Sequence, residues 1–241
     1  MRQSIFMTVL IIIAFAISFV IYTVALPDYI KKGGPLVVLL IMMSLMVVTY
    51  IFERIFALRA ARGKASLISF LRDMNKYINN EQIDEAIAAC DKQRGSCANV
   101  LRSGLEKYKT LKSSGRVLEQ RQTMEEIQRS IDEAMMLEVP LLEKNLVVLS
   151  TVASIATLTG LLGTTIGMIR AFKALAQSGA PDAIQLSLGI SEALINTAGG
   201  LLCAIMGIVA YNYFATRIDN FTYMIDEASY AMIQTLGLMK R

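Results

Sequence analysis

Glu192 is the only ionisable charge in the 34 residues between Asp182 and Arg217. An apolar run of that length, at about 1.5 Å rise per helical residue, more than spans a bilayer. A carboxylate facing lipid there costs a few kcal/mol, so Glu192 must face protein or water and be either protonated or paired. No lysine or arginine shares its run. Asn196, one helical turn on, is placed to hydrogen-bond the carboxyl and support it as a neutral acid. Gly189, Gly199, Gly200 and Cys203 fall on the same side, with Ala193, Thr197 and Ala204 adjoining. A second stripe lies upstream in ATLTGLLGTTIGM, where Thr157, Gly160, Thr164 and Gly167 recur at i, i+3, i+7 and i+10 with Gly163 beside them.

Small residues three and four apart let helix backbones approach closely in a membrane, which accounts for Gly160, Gly163, Gly167 and Gly200 as packing residues. The polar residues ask for more. Thr164, Thr165, Thr197 and Asn196 can hydrogen-bond between helices, or a threonine can bond its own backbone one turn back. Hydroxyls lining a water-filled gap also suit protons or small cations, because a hydroxyl both donates and accepts. One subunit encloses such a gap poorly, and oligomerisation around an axis is the simplest remedy.

Other chemistries are poorly supplied. The chain has no histidine, which removes the usual general base, the His-activated nucleophiles and the commonest metal ligand. No phosphate-binding glycine loop is present. Cys90, Cys97 and Cys203 form no disulfide framework, and C-x6-C without a histidine is a weak metal signal, so buried small apolar residues is the better reading. The net charge is only +4. Residues 53–140 mix 15 basic with 13 acidic side chains, a solvated helical surface and not a nucleic-acid patch. An enzyme is the least favoured class.

These residues must be positioned by membrane helices. Stretches long enough to span, uncharged except for Glu192 in the last, occur at 5–26, 36–52, 145–169 and 183–216, and 54% of the chain is hydrophobic. The first stretch exceeds a usual signal core, and the YTVALP after it is a poor cleavage site, so it is expected to be a retained helix. Arg54, Arg59, Arg62 and Lys64 directly follow the second span, which places residues 53–140 and both termini on the cytoplasmic side. That region reads as helices. Asn80 is a candidate N-cap for a helix carrying Ile83, Ala86, Ile87 and Cys90 on one face, stopped by Gly95. A second helix lines up Leu101, Leu105, Tyr108 and Leu111 and ends near Gly115. A third, from Arg116, lines up Met124, Ile127, Ile131, Ala134 and Met135. Only Pro140 interrupts the pattern between Gly115 and the third span, which predicts one continuous helix, kinked at most at the proline. The fourth span exceeds bilayer thickness, so its part from Tyr211 should project into the cytoplasm. PDYIKKGGP and SGAPDA read as short turns.

LEKNLVVLSTVASIATLTGLLGTTIGMIRAF (142–172) followed by GISEALINTAGGLLCAIMGIVAYNYF (189–214) resembles the MotA/TolQ/ExbB proton-channel family, most of all its ExbB and TolQ branch. The shared pattern is Leu-Glu-x-Asn-Leu, Gly-Leu-Leu-Gly-Thr and Gly-Ile-x-Glu-Ala-Leu-x-x-Thr-Ala, all present in order, with a looser match at ERIFALRAA. Thr157 and Met206 stand where many members carry proline, so both helices are expected to be less kinked.

The resemblance implies a homopentamer in the bacterial inner membrane. It would enclose an ExbD/TolR-type single-span protein whose membrane aspartate carries the proton, and would work with a TonB/TolA-type transducer. Thr164 and Thr197 are then pore-lining, Glu192 is the family's membrane glutamate, and no cofactor or metal is implied. The expected division is 1–26 N-terminal membrane helix, 27–58 second membrane helix with a short periplasmic loop and 59–140 cytoplasmic helical domain. Residues 141–216 are the channel-forming helices three and four, and 217–241 a C-terminal cytoplasmic helix. The expected fold is therefore all-α with four transmembrane helices, and the expected role is to energise TonB-dependent outer-membrane transport. TolQ-like and MotA-like roles are the alternatives inside the family, and a membrane scaffold the alternative outside it.

Overall fold

The computed structural model describes residues 2–113, 120–177 and 183–238, and its regular elements are all helical. In chain order they are α1 (Arg2–Val20), a π-helical turn (Ile21–Ala25), α2 (Asp28–Lys31), α3 (Leu36–Arg62), α4 (Leu67–Asn79), α5 (Ile83–Gln93), α6 (Ser96–Ser113), α7 (Gln120–Glu143), α8 (Leu146–Gln177) and α9 (Ala183–Leu238). The expected stop at Gly115, the helix start at Arg116 and residues 178–182 of the SGAPDA turn lie outside the described residues. Among the described residues three helical stretches, those carrying α3, α8 and α9, are long and apolar enough to cross a membrane, and Ile11–Ala25 is a shorter apolar helix. At 56 residues α9 is about 84 Å long.

The chain divides into two compact units. The first, residues 1–53 and 145–213, contains α1, α2, most of α3, α8 and the apolar part of α9. Its helices expose large apolar side chains such as Phe15, Phe19, Phe52, Leu158, Leu161 and Leu202. In water such a surface would aggregate, whereas lipid solvates it. α8 and α9 bury the small residues Ala153, Ala156, Ala171, Ala193 and Ala204 together with Leu149 and Val152, while α3 buries Val37, Leu40, Met43, Val47 and Tyr50.

The second unit, residues 54–144 and 214–241, has the opposite arrangement, with apolar side chains inside and charges outside. α4 buries Phe70, Met74 and Ile78 at one-turn spacing, and α6 packs between α5 and α7. Residues 214–238 of α9 bury Phe214, Ile218, Phe221, Ile225, Ala228, Met232 and Leu236, a three-and-four repeat that forms a single stripe. Gly104 on α6 lets Ile131 and Met232 come close, since a side chain there would meet them within 2.9 Å. Gln93 is buried and satisfied: its amide donates to the carbonyls of Arg62 (3.1 Å) and Ala65 (2.9 Å) and accepts from the Ala65 N–H (3.1 Å).

Two expectations are corrected here. Asn80 is not an N-cap: it closes α4, its N–H donating to Lys76 and Ile78 carbonyls, and Gln82 precedes α5 without a side-chain cap. A lone Asn marks either end of a helix, because it tolerates both cap geometries. The helix leading into the third span is also not continuous. α7 ends at Glu143, Asn145 takes a left-handed φ of 64°, and α8 starts at Leu146. Asn is among the few non-glycine residues that enter this region cheaply. Pro140 has already removed one donor from the last turns of α7. The buried Arg54 donates to the Leu142 carbonyl at 2.9 Å, serving one of the orphan acceptors at that helix end. The Asn145 amide donates to Glu53 at 3.4 Å.

Candidate functional site

Within the first unit α8 and α9 run antiparallel at backbone contact. A methyl at Gly200 would lie 2.6 Å from the Ala156 carbonyl oxygen and 2.8 Å from Gly160 Cα, and one at Gly160 would lie 3.1 Å from the Asn196 carbonyl. Gly163 faces the Asn196 side chain, and Gly167 faces the backbone of Ala193 and Gly189 at 2.7 Å. The structure thus brings Gly160, Gly163, Gly167 and Gly200 into one seam. Such contact gains packing and removes lipid from between the helices. On the other side of α9, Gly199 faces Leu40 of α3.

The two pore-lining candidates differ in setting. Thr197, half-buried, donates from its hydroxyl to Ala193 O (3.2 Å) and across the seam to Gly160 O (3.3 Å). Thr164, also half-exposed, donates within its own helix to Leu161 O at 2.6 Å. Each hydroxyl keeps its oxygen lone pairs as acceptors. Thr165 is exposed and donates to Leu162 O, while the buried Thr159 donates to Ile155 O.

The reading of Glu192 as an acid without a cation is corrected. Arg170 of α8 donates from Nη1 to Glu192 Oε1 at 2.5 Å. The side chain of Glu192 is 9% exposed and that of Arg170 is 56% exposed, so the carboxylate is held inside while the guanidinium reaches outward. Arg170 lies outside the apolar run counted from Asp182 and reaches Glu192 only because α8 folds back along α9. The seam contains the signal that was missed. Ten residues after Gly160 on α8 is Arg170, and ten before Gly200 on α9 is Ile190, two positions from Glu192.

Asn196 is also reassigned. It is fully buried, but its amide donates to the carbonyl of Gly33 (2.8 Å) and to the backbone carbonyl of Glu192 (3.0 Å), not to the carboxylate. Those two acceptors fix the amide orientation and leave Asn196 Oδ1 buried without a partner among the described residues. Gly33 and Gly34, between α2 and α3, were not singled out by sequence. Gly34 has φ +72°, and a methyl on it would lie 2.9 Å from Glu192 Oε1. A turn that any side chain would block therefore lies against the carboxylate.

Away from the membrane helices, burial pushes the thiols of Cys90 and Cys97 up to about 12. Both are free and buried, as is Cys203. Among the described residues no group of three or more metal-ligating side chains converges. The surface of the second unit carries ion pairs such as Lys107–Glu126 and Arg102–Asp91, each at 2.8 Å, which suit a solvated helical face.

Residues 92–227 match the model of the MotA/TolQ/ExbB proton channel family. The chain is 30% identical over 193 residues to the Tol-Pal system protein TolQ of Pseudomonas aeruginosa, covering 78% of this chain and 82% of that protein. It is 43% identical over 93 residues to TolQ of Haemophilus influenzae, covering 38% of this chain and 40% of the relative. Over 94 residues it is 37% identical to the biopolymer transport protein ExbB of Pseudomonas putida, covering 39% of this chain and 28% of the relative. The glycine seam, the membrane glutamate and the threonine beside it thus sit inside the matched segment, and this chain belongs to the MotA/TolQ/ExbB proton channel family, in its ExbB/TolQ part.

Proposed function

We propose that this chain is the channel-forming subunit of a proton-driven motor in the bacterial inner membrane. In this reading five copies surround the membrane helix of an ExbD/TolR-type partner. The first apolar helix is a fourth span, both termini are cytoplasmic, and a TonB/TolA-type transducer takes up the work. The charge inventory of the hairpin supports it. Residues 146–177 and 183–213 contain only Arg170, Lys173 and Glu192 as charges, and Glu192 is already engaged by Arg170. A proton crossing here needs a titratable carrier from another chain, with Thr164 and Thr197 supplying hydroxyls along its route.

TonB-type transport is the first reading of what is energised. A Tol-Pal role is the second, favoured by the match to 82% of a TolQ protein. Both use the same hairpin.

The test is Thr197→Val in liposomes holding this chain and its single-span partner. The valine keeps shape, and the lost hydrogen bond to Gly160 costs about 1 kcal/mol. The expected result is an intact oligomer with proton uptake reduced at least about tenfold. Uptake equal to wild type removes Thr197 from the path. A scaffold would show no partner-dependent proton uptake in the wild type either.

A further inference from the structure

We propose that the end of α3, where it leaves its apolar run, is a binding site for anionic phospholipid. Arg59, Arg62 and Lys64 hold the head-group phosphate, and Phe56, Leu137 and Leu141 lie against the acyl chains. The assignment needs only that α3 and α8 span a bilayer, and it does not rest on the channel reading.

Charge carries the first part. Residues 54–72 hold five cations and no acid, whereas residues 73–140 mix 10 basic with 12 acidic side chains. Arg54 is buried on the Leu142 carbonyl, and Arg72 lies 3.9 Å from Asp73. The other three, Arg59, Arg62 and Lys64, are exposed, and their side chains have no carboxylate or hydrogen-bond partner among the described residues. Elsewhere in the same unit cations such as Arg102, Lys107, Arg121 and Arg129 each pair with a carboxylate.

Apolar exposure carries the second part. Phe56 lies one turn before Arg59 on α3 and is exposed, as are Leu137 and Leu141, one turn apart on α7. The Arg54 bond to Leu142 fixes the end of α7 beside this part of α3. Glu138, the acid between the two leucines, is turned to Asn99. Water suits the cations but not the apolar side chains beside them. A bilayer surface suits both, because it offers hydrocarbon and phosphate side by side. The rise from Phe56 to Arg59 is about 4.5 Å along the helix, a step that takes a side chain from the acyl boundary to the head groups. Arginine adds a planar fork that matches phosphate oxygens. α3 runs directly from its uncharged stretch 36–52 into these residues, and α7 ends at Glu143, shortly before α8 begins at Leu146. Lipid is therefore the neighbour already present.

The chain has no tryptophan, so Phe56→Trp places a single fluorescent reporter in the apolar belt. The full chain carrying it is reconstituted in phosphatidylcholine vesicles. Quenching by phosphatidylglycerol brominated in its acyl chains is compared with quenching by brominated phosphatidylcholine. One cation close to an anionic head group contributes about fivefold in binding. The expected result is quenching by both lipids, with phosphatidylglycerol preferred at least about fivefold at low salt and less as salt is raised. The preference should vanish in an Arg59→Gln/Arg62→Gln/Lys64→Gln background. It should persist in the charge-matched Lys107→Gln/Arg121→Gln/Arg129→Gln background. Equal quenching by the two lipids in the Phe56→Trp protein overturns the proposal, as does a full preference in the first triple variant. Quenching by neither lipid means that protein covers this face, and it overturns the proposal too. Inorganic phosphate added at constant ionic strength should leave the preference unchanged. A preference abolished by it assigns the cations to free phosphate and removes the lipid site. Should the first triple variant fail to reconstitute, the Phe56→Trp protein at low and high salt still decides.

Discussion

The α8–α9 seam can be tested at two adjacent glycines with opposite expectations. Gly200→Ala puts a methyl 2.6 Å from the Ala156 carbonyl oxygen and 2.8 Å from Gly160 Cα. Ordinary contact begins at about 3.5 Å, so the helices must part by roughly 0.8 Å. Both opposing atoms are helix backbone and cannot rotate away. Overpacking of this kind costs about 1–3 kcal/mol, and the better helix propensity of alanine returns up to about 1 kcal/mol. The net expectation is a loss of about 1–2 kcal/mol. At Gly199 the same methyl meets only Leu40 Cδ1 at 3.2 Å, the free end of a flexible side chain. Gly199→Ala should be neutral or stabilising by up to about 1 kcal/mol. The two variants should differ by about 2 kcal/mol, roughly 30-fold in the unfolding equilibrium. The assay is equilibrium unfolding in mixed micelles, following helicity against the fraction of denaturing detergent. A Gly200→Ala protein as stable as wild type, or a Gly199→Ala protein equally weakened, would refute the backbone-contact account of the seam.

Asn196→Ala leaves the Gly33 carbonyl without its buried donor and should cost about 1–3 kcal/mol, seen as faster hydrogen exchange around residues 33–38 and a lower unfolding midpoint. The thiols of Cys90 and Cys97, held up at about 12, should resist thiol reagents at pH 8 in a Cys203→Ser background and react fully once the chain is denatured. The folded state keeps protons that the unfolded thiols release above their ordinary value of 9.0, so this contribution to stability is complete below pH 9 and falls as pH rises towards 12. Rapid labelling of the native protein at pH 8 would contradict the burial of both thiols.

Much of this molecule is legible in one dimension. Helical character follows from the periodic apolar faces of α4 to α7, where Met74, Ile78, Leu101, Leu105, Ile127 and Ile131 recur one turn apart and are all buried. The apolar stretches identify the membrane helices by length alone, because lipid demands a continuous run. The small-residue spacing at Gly160, Gly163, Gly167 and Gly200 is equally local, since residues three and four apart share a face in any helix. The break at Asn145 was not legible, because the run around it stays helical in pattern and the left-handed residue is supported by Glu53 and the preceding turn by Arg54, more than 80 positions upstream.

The partners of the polar residues were decided only in three dimensions. Sequence spacing offered Asn196 to the Glu192 carboxyl because one turn separates them, yet the amide is drawn to the Gly33 carbonyl, which would otherwise be buried without a donor. Sequence also isolated Glu192 from any cation, since charges were counted along the chain. The antiparallel return of α8 along α9 brings Arg170 to the carboxylate across 22 residues. Which residues can span a membrane is a property of composition and length, so the sequence alone determined it. Which buried group meets which depends on helix register and approach, and the glycine seam sets both only once the two helices have packed.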